Sequence, residues 1–140
     1  MNYSSSCQCG KVQVHLTLPS SIENYEPREC DCDFCQRHRI TYISDPGGSL
    51  SIISDNRLKQ SKQGSEQAVF WQCLSCNNLI AVTNSLNGEL KGAVNGQLFA
   101  SKYKLGTSVI VSPKFLSSTE KRARWNSVWL RVKFNALSNT

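Results

Sequence analysis

The seven cysteines of this chain fall into three tight knots, Cys7-x-Cys9, Cys30-x-Cys32-x-x-Cys35 and Cys73-x-x-Cys76. Thiolates two or three positions apart can turn onto one ion, and pairs from distant parts of a chain can complete a tetrahedron. Core cysteines would instead be scattered singly among apolar neighbours. Here the neighbours are Gln8, Gly10, Asp31, Asp33, Gln36 and Ser75, which are polar and turn-forming. An odd count also leaves one thiol over in any disulfide framework. The spacing points to zinc.

Seven divides naturally into four and three. A structural zinc is closed by four protein ligands, whereas a catalytic zinc keeps three and leaves a fourth position for water or substrate. Cys30, Cys32 and Cys35 can put three sulfurs on one ion within six residues. Cys7, Cys9, Cys73 and Cys76 would then clamp the start of the chain to its middle. The spacing equally allows Cys7 and Cys9 to join Cys30 and Cys32. It also allows His38, three residues beyond Cys35, to close the second site as an outside ligand. His15, on the polar face of an alternating segment, reads as a solvated side chain.

The frame around these knots is one domain spanning 1–140, since 140 residues and 15.6 kDa are too few for two independent cores. Hydrophobic residues at 39% and charged residues at 19% fit a globular chain. No apolar run approaches the ~18 residues of a membrane span. Met1 to Cys7 has neither the basic nor the apolar stretch of a signal peptide, so a cytoplasmic protein is expected. Val12, Val14, Leu16 and Leu18 alternate with polar residues, the period of a half-buried strand. Further β-rich runs cover 40–43, 50–53, 68–71, 79–83, 108–111 and 129–134. Asp45-Pro46-Gly47-Gly48, Asn87-Gly88 and Asn95-Gly96 punctuate them as turns. Ser117-Ser118-Thr119-Glu120 is a capping-box pattern and predicts one short C-terminal helix running to about Trp125. A mainly β domain stapled by zinc is the expectation.

Three stretches carry a family resemblance: Cys7-Gln8-Cys9-Gly10-Lys11-Val12, Cys30-Asp31-Cys32-Asp33-Phe34-Cys35-Gln36-Arg37 and Phe70-Trp71-Gln72-Cys73-Leu74-Ser75-Cys76. Together they resemble the glutathione-dependent formaldehyde-activating enzymes, a family that includes centromere protein V. Ser44-Asp45-Pro46 and Glu120-Lys121 … Arg124-Trp125 extend the resemblance over most of the chain. It implies a β-tent of small packed antiparallel sheets with two zinc ions per chain. Cys7, Cys9, Cys73 and Cys76 would hold the structural ion, and Cys30, Cys32 and Cys35 the catalytic one. Asn77 stands where the family usually has Gly after the last knot; Asn tolerates the left-handed backbone better than most residues.

The activity implied is a carbon–sulfur lyase reaction joining glutathione and formaldehyde, or a similar thiol and small aldehyde, as a hemithioacetal. Glutathione carries two carboxylates, and Arg37 and Arg39 just beyond Cys35 are the expected cofactor-binding cations, because a guanidinium fork suits a carboxylate. Trp71, Trp125 and Trp129 read as packing residues rather than a substrate platform. Two other classes stay open. One is a non-catalytic zinc fold that binds protein. The other is a basic nucleic-acid-binding domain, since eight Lys and Arg between Lys102 and Lys133 face only Glu120. Seven thiolates and two Zn2+ would lower the formal charge from +6 to +3, and no finger or RNA-binding motif appears. Nucleic acid is therefore the weaker expectation.

Overall fold

The alternation around Val14 becomes strand β2 (Gln13–Thr17), with Val14 and Leu16 buried and Gln13, His15 and Thr17 facing outward. In this computed structural model, residues 1–30, 33–54, 58–62, 68–111 and 116–136 are described. The other strands are β1 (Asn2–Ser6), β3 (Arg28–Cys30), β4 (Tyr42–Ile43), β5 (Ser49–Ser54) and β6 (Leu58–Lys62). They continue with β7 (Val69–Cys73), β8 (Leu79–Leu86), β9 (Glu89–Asn95), β10 (Val109–Val111) and β11 (Leu130–Ala136). Among the described residues, the α-helices α1 (Asp33–His38), α2 (Gln97–Ala100) and α3 (Ser118–Val128) and a 3-10 turn at Ile22–Asn24 complete the set. The chain is mainly β.

All eleven strands join in one network, ordered β1-β2-β5-β11-β9-β4-β3-β10, with β8, β7 and β6 branching from β9. Most pairings are antiparallel, but β11 runs parallel to β5 and β10 parallel to β3. The sheet is thus mixed, a feature set by where late strands are inserted rather than by local residue pattern. The β8–β9 hairpin turns through Asn87-Gly88, both with positive φ (52° and 81°). That backbone twist matches the twist of paired strands, which is why Asn-Gly is favoured there. Ser117 caps α3 as its sequence indicated: its Oγ accepts from the Glu120 amide at 3.1 Å, and Glu120 accepts from the Ser117 amide at 3.0 Å. The helix continues three residues beyond Trp125, and its C-cap, Trp129, leads straight into β11.

Strands β8 and β9 are buried on both faces, and they divide the apolar interior in two. Val94 and Ile80 belong to one cluster, with Val14, Leu16, Leu50, Ile52, Phe99 and Leu130. Their neighbours Ala93 and Leu79 belong to the other, with Phe70, Val82, Ile40 and Trp129. Successive strand residues point to opposite faces, so two adjacent positions serve two cores. The first cluster contains Cys7 and Cys73; the second contains Cys35 with Cys30 packed against it. Cys7 and Cys73 thus pack apart from Cys30 and Cys35.

Candidate metal centre

Two tight loops carry the first centre. In the β1–β2 connection the Cys7 amide donates to the Val12 carbonyl at 3.0 Å, while the Gly10 amide returns to the Cys7 carbonyl at 3.0 Å. Gly10 takes φ 80°, a conformation that needs no Cβ. The β7–β8 connection repeats the device. There the Cys73 amide donates to the Asn78 carbonyl and the Asn77 amide to the Cys73 carbonyl, both at 2.9 Å. Asn77 adopts φ 65°, so asparagine fills the left-handed position expected of glycine. Asn78 then ties the loops together, its Oδ1 accepting from the Gln8 amide at 2.7 Å.

Cys7, Cys9, Cys73 and Cys76 consequently bring their four Sγ atoms within 4.8 Å of one another. The Cys7–Cys9 and Cys9–Cys73 separations are 3.5 and 3.6 Å. These are far from a ~2.05 Å disulfide. They approach the ~3.8 Å edge of a tetrahedron with ~2.3 Å metal–sulfur bonds. Burial pushes the Cys7 thiol up to about 12, with the Val12 amide opposing and the other three thiols reinforcing the rise. At Cys76 burial also raises the value, but the Asn78 and Cys9 amides, with the Cys7 and Cys73 thiols, outweigh it and pull it down to about 6. Without a cation the cluster favours an uneven distribution of charge, thiolate at Cys76 and thiol at Cys7. Ionising all four needs a compensating cation, and a divalent metal ion meets that need. The donor set and its geometry fit such an ion.

Of the middle knot, Cys30 and Cys35 belong to the second cluster. Cys30 ends β3 and is half-buried; Cys35, on α1, is buried with its Sγ 3.1 Å from the Tyr42 hydroxyl. Cys32 lies outside the described residues, as does the side chain of His38. Arg37 and Arg39 are exposed. Arg39 also terminates α1: it takes φ 53°, its amide reaches the Gln36 carbonyl at 3.3 Å, and the Ile40 amide reaches the Cys35 carbonyl at 3.1 Å. That pair of bonds is the Schellman ending, with arginine where glycine is usual. Trp125 and Trp129 stack 4.6 Å apart at 8°, and both pack in the cluster around Cys35. Trp71 donates to Thr83 Oγ1 at 2.8 Å and packs on Phe134. His15 is exposed, with its Nδ1 2.8 Å from Ser4 Oγ.

Three residues of these sites gave no signal in the sequence: Asn78, Tyr42 and Arg28. Asn78 links two loops distant in sequence. Tyr42 reaches Cys35 because β4 pairs with β3, directly opposite Arg28. Arg28 is half-buried, and burial lowers its pKa, with the like charge of Arg124 adding to the effect.

No protein-family model and no curated protein sequence matches the chain. A crystal structure of a Rhodobacter sphaeroides protein, solved as a structural-genomics target, is similar in fold. Its TM-score is 0.55 at 21% identity, over 75% of this chain and 100% of the other. Among the described residues, no helix is long and apolar enough to cross a membrane.

Proposed function

We propose that this chain is a zinc-dependent carbon–sulfur lyase of the formaldehyde-activating type. It would join glutathione, or a similar thiol, to formaldehyde or another small aldehyde as a hemithioacetal. In this reading Cys7, Cys9, Cys73 and Cys76 hold a structural zinc, and Cys30, Cys32 and Cys35 hold the catalytic one. The supporting observation is the separation of the knots. Four sulfurs close upon each other in one cluster, while Cys30 and Cys35 pack in a second cluster.

A zinc ion held by three thiolates supplies a place for a ligand thiolate and polarises a nearby carbonyl. The sulfur–carbon bond forms as the carbonyl π bond opens, and the thiol proton ends on the new hydroxyl oxygen. The protein's own residues supply position and dryness. Tyr42 orients the Cys35 sulfur through the 3.1 Å contact, the kind of outer support that fixes a ligand's direction. Cys35 is buried, and the Trp125–Trp129 stack makes its surroundings apolar. Several cations are meanwhile engaged by the protein's own oxygens: Lys91 with Asn126, Lys102 with Ser4, and Arg122 with Ser85. That arrangement favours a small-molecule ligand over a nucleic-acid backbone.

Calorimetric titration of glutathione and S-methylglutathione into the zinc-loaded protein tests the reading. Glutathione should bind more tightly, and increasingly so as pH rises toward the free thiol value of ~8.5, because binding releases the thiol proton. Cys32→Ser should weaken it. Equal affinities would remove the zinc–thiolate mechanism. No affinity for either would turn the reading toward a non-catalytic, protein-binding zinc fold.

A further inference from the structure

Beside the middle knot lies a cavity of about 200 Å³, lined in part by Arg28, Tyr42, Ser44, Asn24 and Glu26. Drug-sized ligands occupy roughly 300 Å³ or more, so this space takes one end of a molecule rather than the whole. Tyr42 links the two, lining the cavity and touching Cys35. Arg28 and Cys30 are two apart on β3 and so share a face.

The two charged residues of the lining, Arg28 and Glu26, differ in burial. Arg28 is half-buried and donates to a neutral group, Ser44 Oγ, at 3.3 Å. Among the described residues it pairs with no carboxylate. Arg124, on α3, adds like charge to its surroundings without lining the cavity. Asp45 is already the acceptor of the Tyr25 hydroxyl at 2.7 Å and the Gly47 amide at 2.8 Å. Glu26 lines the cavity but is exposed, where water screens it. A half-buried guanidinium without a carboxylate partner is stabilised by an anion, and its planar fork suits a carboxylate.

We infer that the Arg28 cavity is a carboxylate subsite, formed with Ser44, which holds one end of a thiol ligand whose sulfur lies at the middle knot. This rests on the thiol-binding reading above and deepens it by naming the group that anchors the substrate. Arg28 is then a specificity-determining residue. Thiols without a carboxylate at the right reach bind less well.

The test separates the two claims by using a probe without a thiol. The tripeptide γ-glutamyl-alanyl-glycine, its dialkyl ester and glutathione are titrated calorimetrically into the zinc-loaded native protein and into Arg28→Met, Arg28→Lys and Arg124→Gln. The tripeptide should bind weakly to the native protein and the ester should not. Arg28→Met should weaken tripeptide and glutathione alike by about tenfold or more, as expected for loss of a charge-assisted contact. Arg28→Lys should fall between, and Arg124→Gln, on an exposed helix position, should show a smaller loss without any question of folding. If glutathione outbinds the tripeptide but neither esterification nor the arginine variants matter, the subsite is overturned and the metal–thiol reading stands. If the tripeptide binds through Arg28 and glutathione binds no better, the subsite stands and the metal–thiol reading falls. If none of the ligands binds, both are overturned.

Discussion

The two cysteine groups of this protein are built in opposite ways. The four-cysteine cluster draws on two hairpin loops far apart in the chain, and its sulfurs meet only because the fold brings β1–β2 beside β7–β8. The middle knot is local: Cys30 at the end of a strand and Cys35 on the following helix are five residues apart. A site assembled from distant loops acts as a cross-link, because losing it frees both loops. A site assembled within one segment can be emptied while the sheet survives. Placement agrees with this difference. Cys7 and Cys73 sit in the larger core, whereas Cys35, with Cys30 against it, belongs to the smaller one.

The largest expected effect breaks the cross-link. Cys73→Ser replaces a fully buried member of the four-sulfur cluster. Structural zinc contributes on the order of 10 kcal/mol in small metal-dependent folds, comparable with the ~5–15 kcal/mol net stability of a typical domain. The variant should be insoluble or melt far below the native protein. A soluble Cys73→Ser protein with an unchanged melting temperature would show that this cluster does not hold the fold together.

Metal removal sharpens the same contrast. A four-coordinate ion enclosed by protein gives a chelator no vacant position, whereas a three-coordinate one does. Mild chelation of the zinc-loaded protein should remove about one equivalent quickly and leave the far-ultraviolet circular dichroism unchanged. Simultaneous loss of both ions with unfolding would erase the distinction between the sites.

How much of this the sequence disclosed depends on whether the cause was local. The β2 alternation, the Asn87-Gly88 turn and the Ser117 capping box are short-range patterns, and each appears where its residues placed it. Strands β1, β3, β6 and β9 gave no comparable signal. Asn2–Ser6 has Tyr3 alone among polar residues, and Glu89–Asn95 carries Glu89, Lys91 and Gly92 in its first half. Their structure comes from pairing partners. The parallel insertion of β11 beside β5, and the meeting of Tyr42 with Cys35, are tertiary facts with no trace in a window of ten residues. Spacing likewise left the partners of Cys7 and Cys9 open. Only the approach of the two loops brings Cys73 and Cys76 to them.

A smaller effect probes the support of the middle knot. Tyr42→Phe removes the hydroxyl beside Cys35 and leaves the ring packed. Removing an outer partner of a metal ligand costs about 10–100-fold in metal affinity. Competition with a chromophoric chelator should show the weakly held equivalent loosened by about that factor, and the tightly held one unchanged. An equal change at both would mean that Tyr42 supports the fold rather than the site.

The smallest effect compares the two loop endings directly. Each site is followed by a non-glycine residue in the left-handed region, Arg39 at φ 53° after the middle knot and Asn77 at φ 65° after the last. Left-handed backbone costs an ordinary residue about 1–2 kcal/mol, and Asn visits it more readily. Arg39→Gly should therefore raise the stability of the zinc-loaded protein by up to about 1 kcal/mol, the gain being trimmed by glycine's greater freedom when unfolded. Asn77→Gly should change it by only a few tenths of a kcal/mol. Urea midpoints at constant slope measure both. The arginine substitution also asks whether the exposed Arg39 side chain takes part in binding. If helix termination is its whole role, Arg39→Gly is stabilised and binds glutathione as the native protein does. A stabilised variant with weakened glutathione binding would place Arg39 in the ligand site, as the sequence expectation had it, beside Arg28.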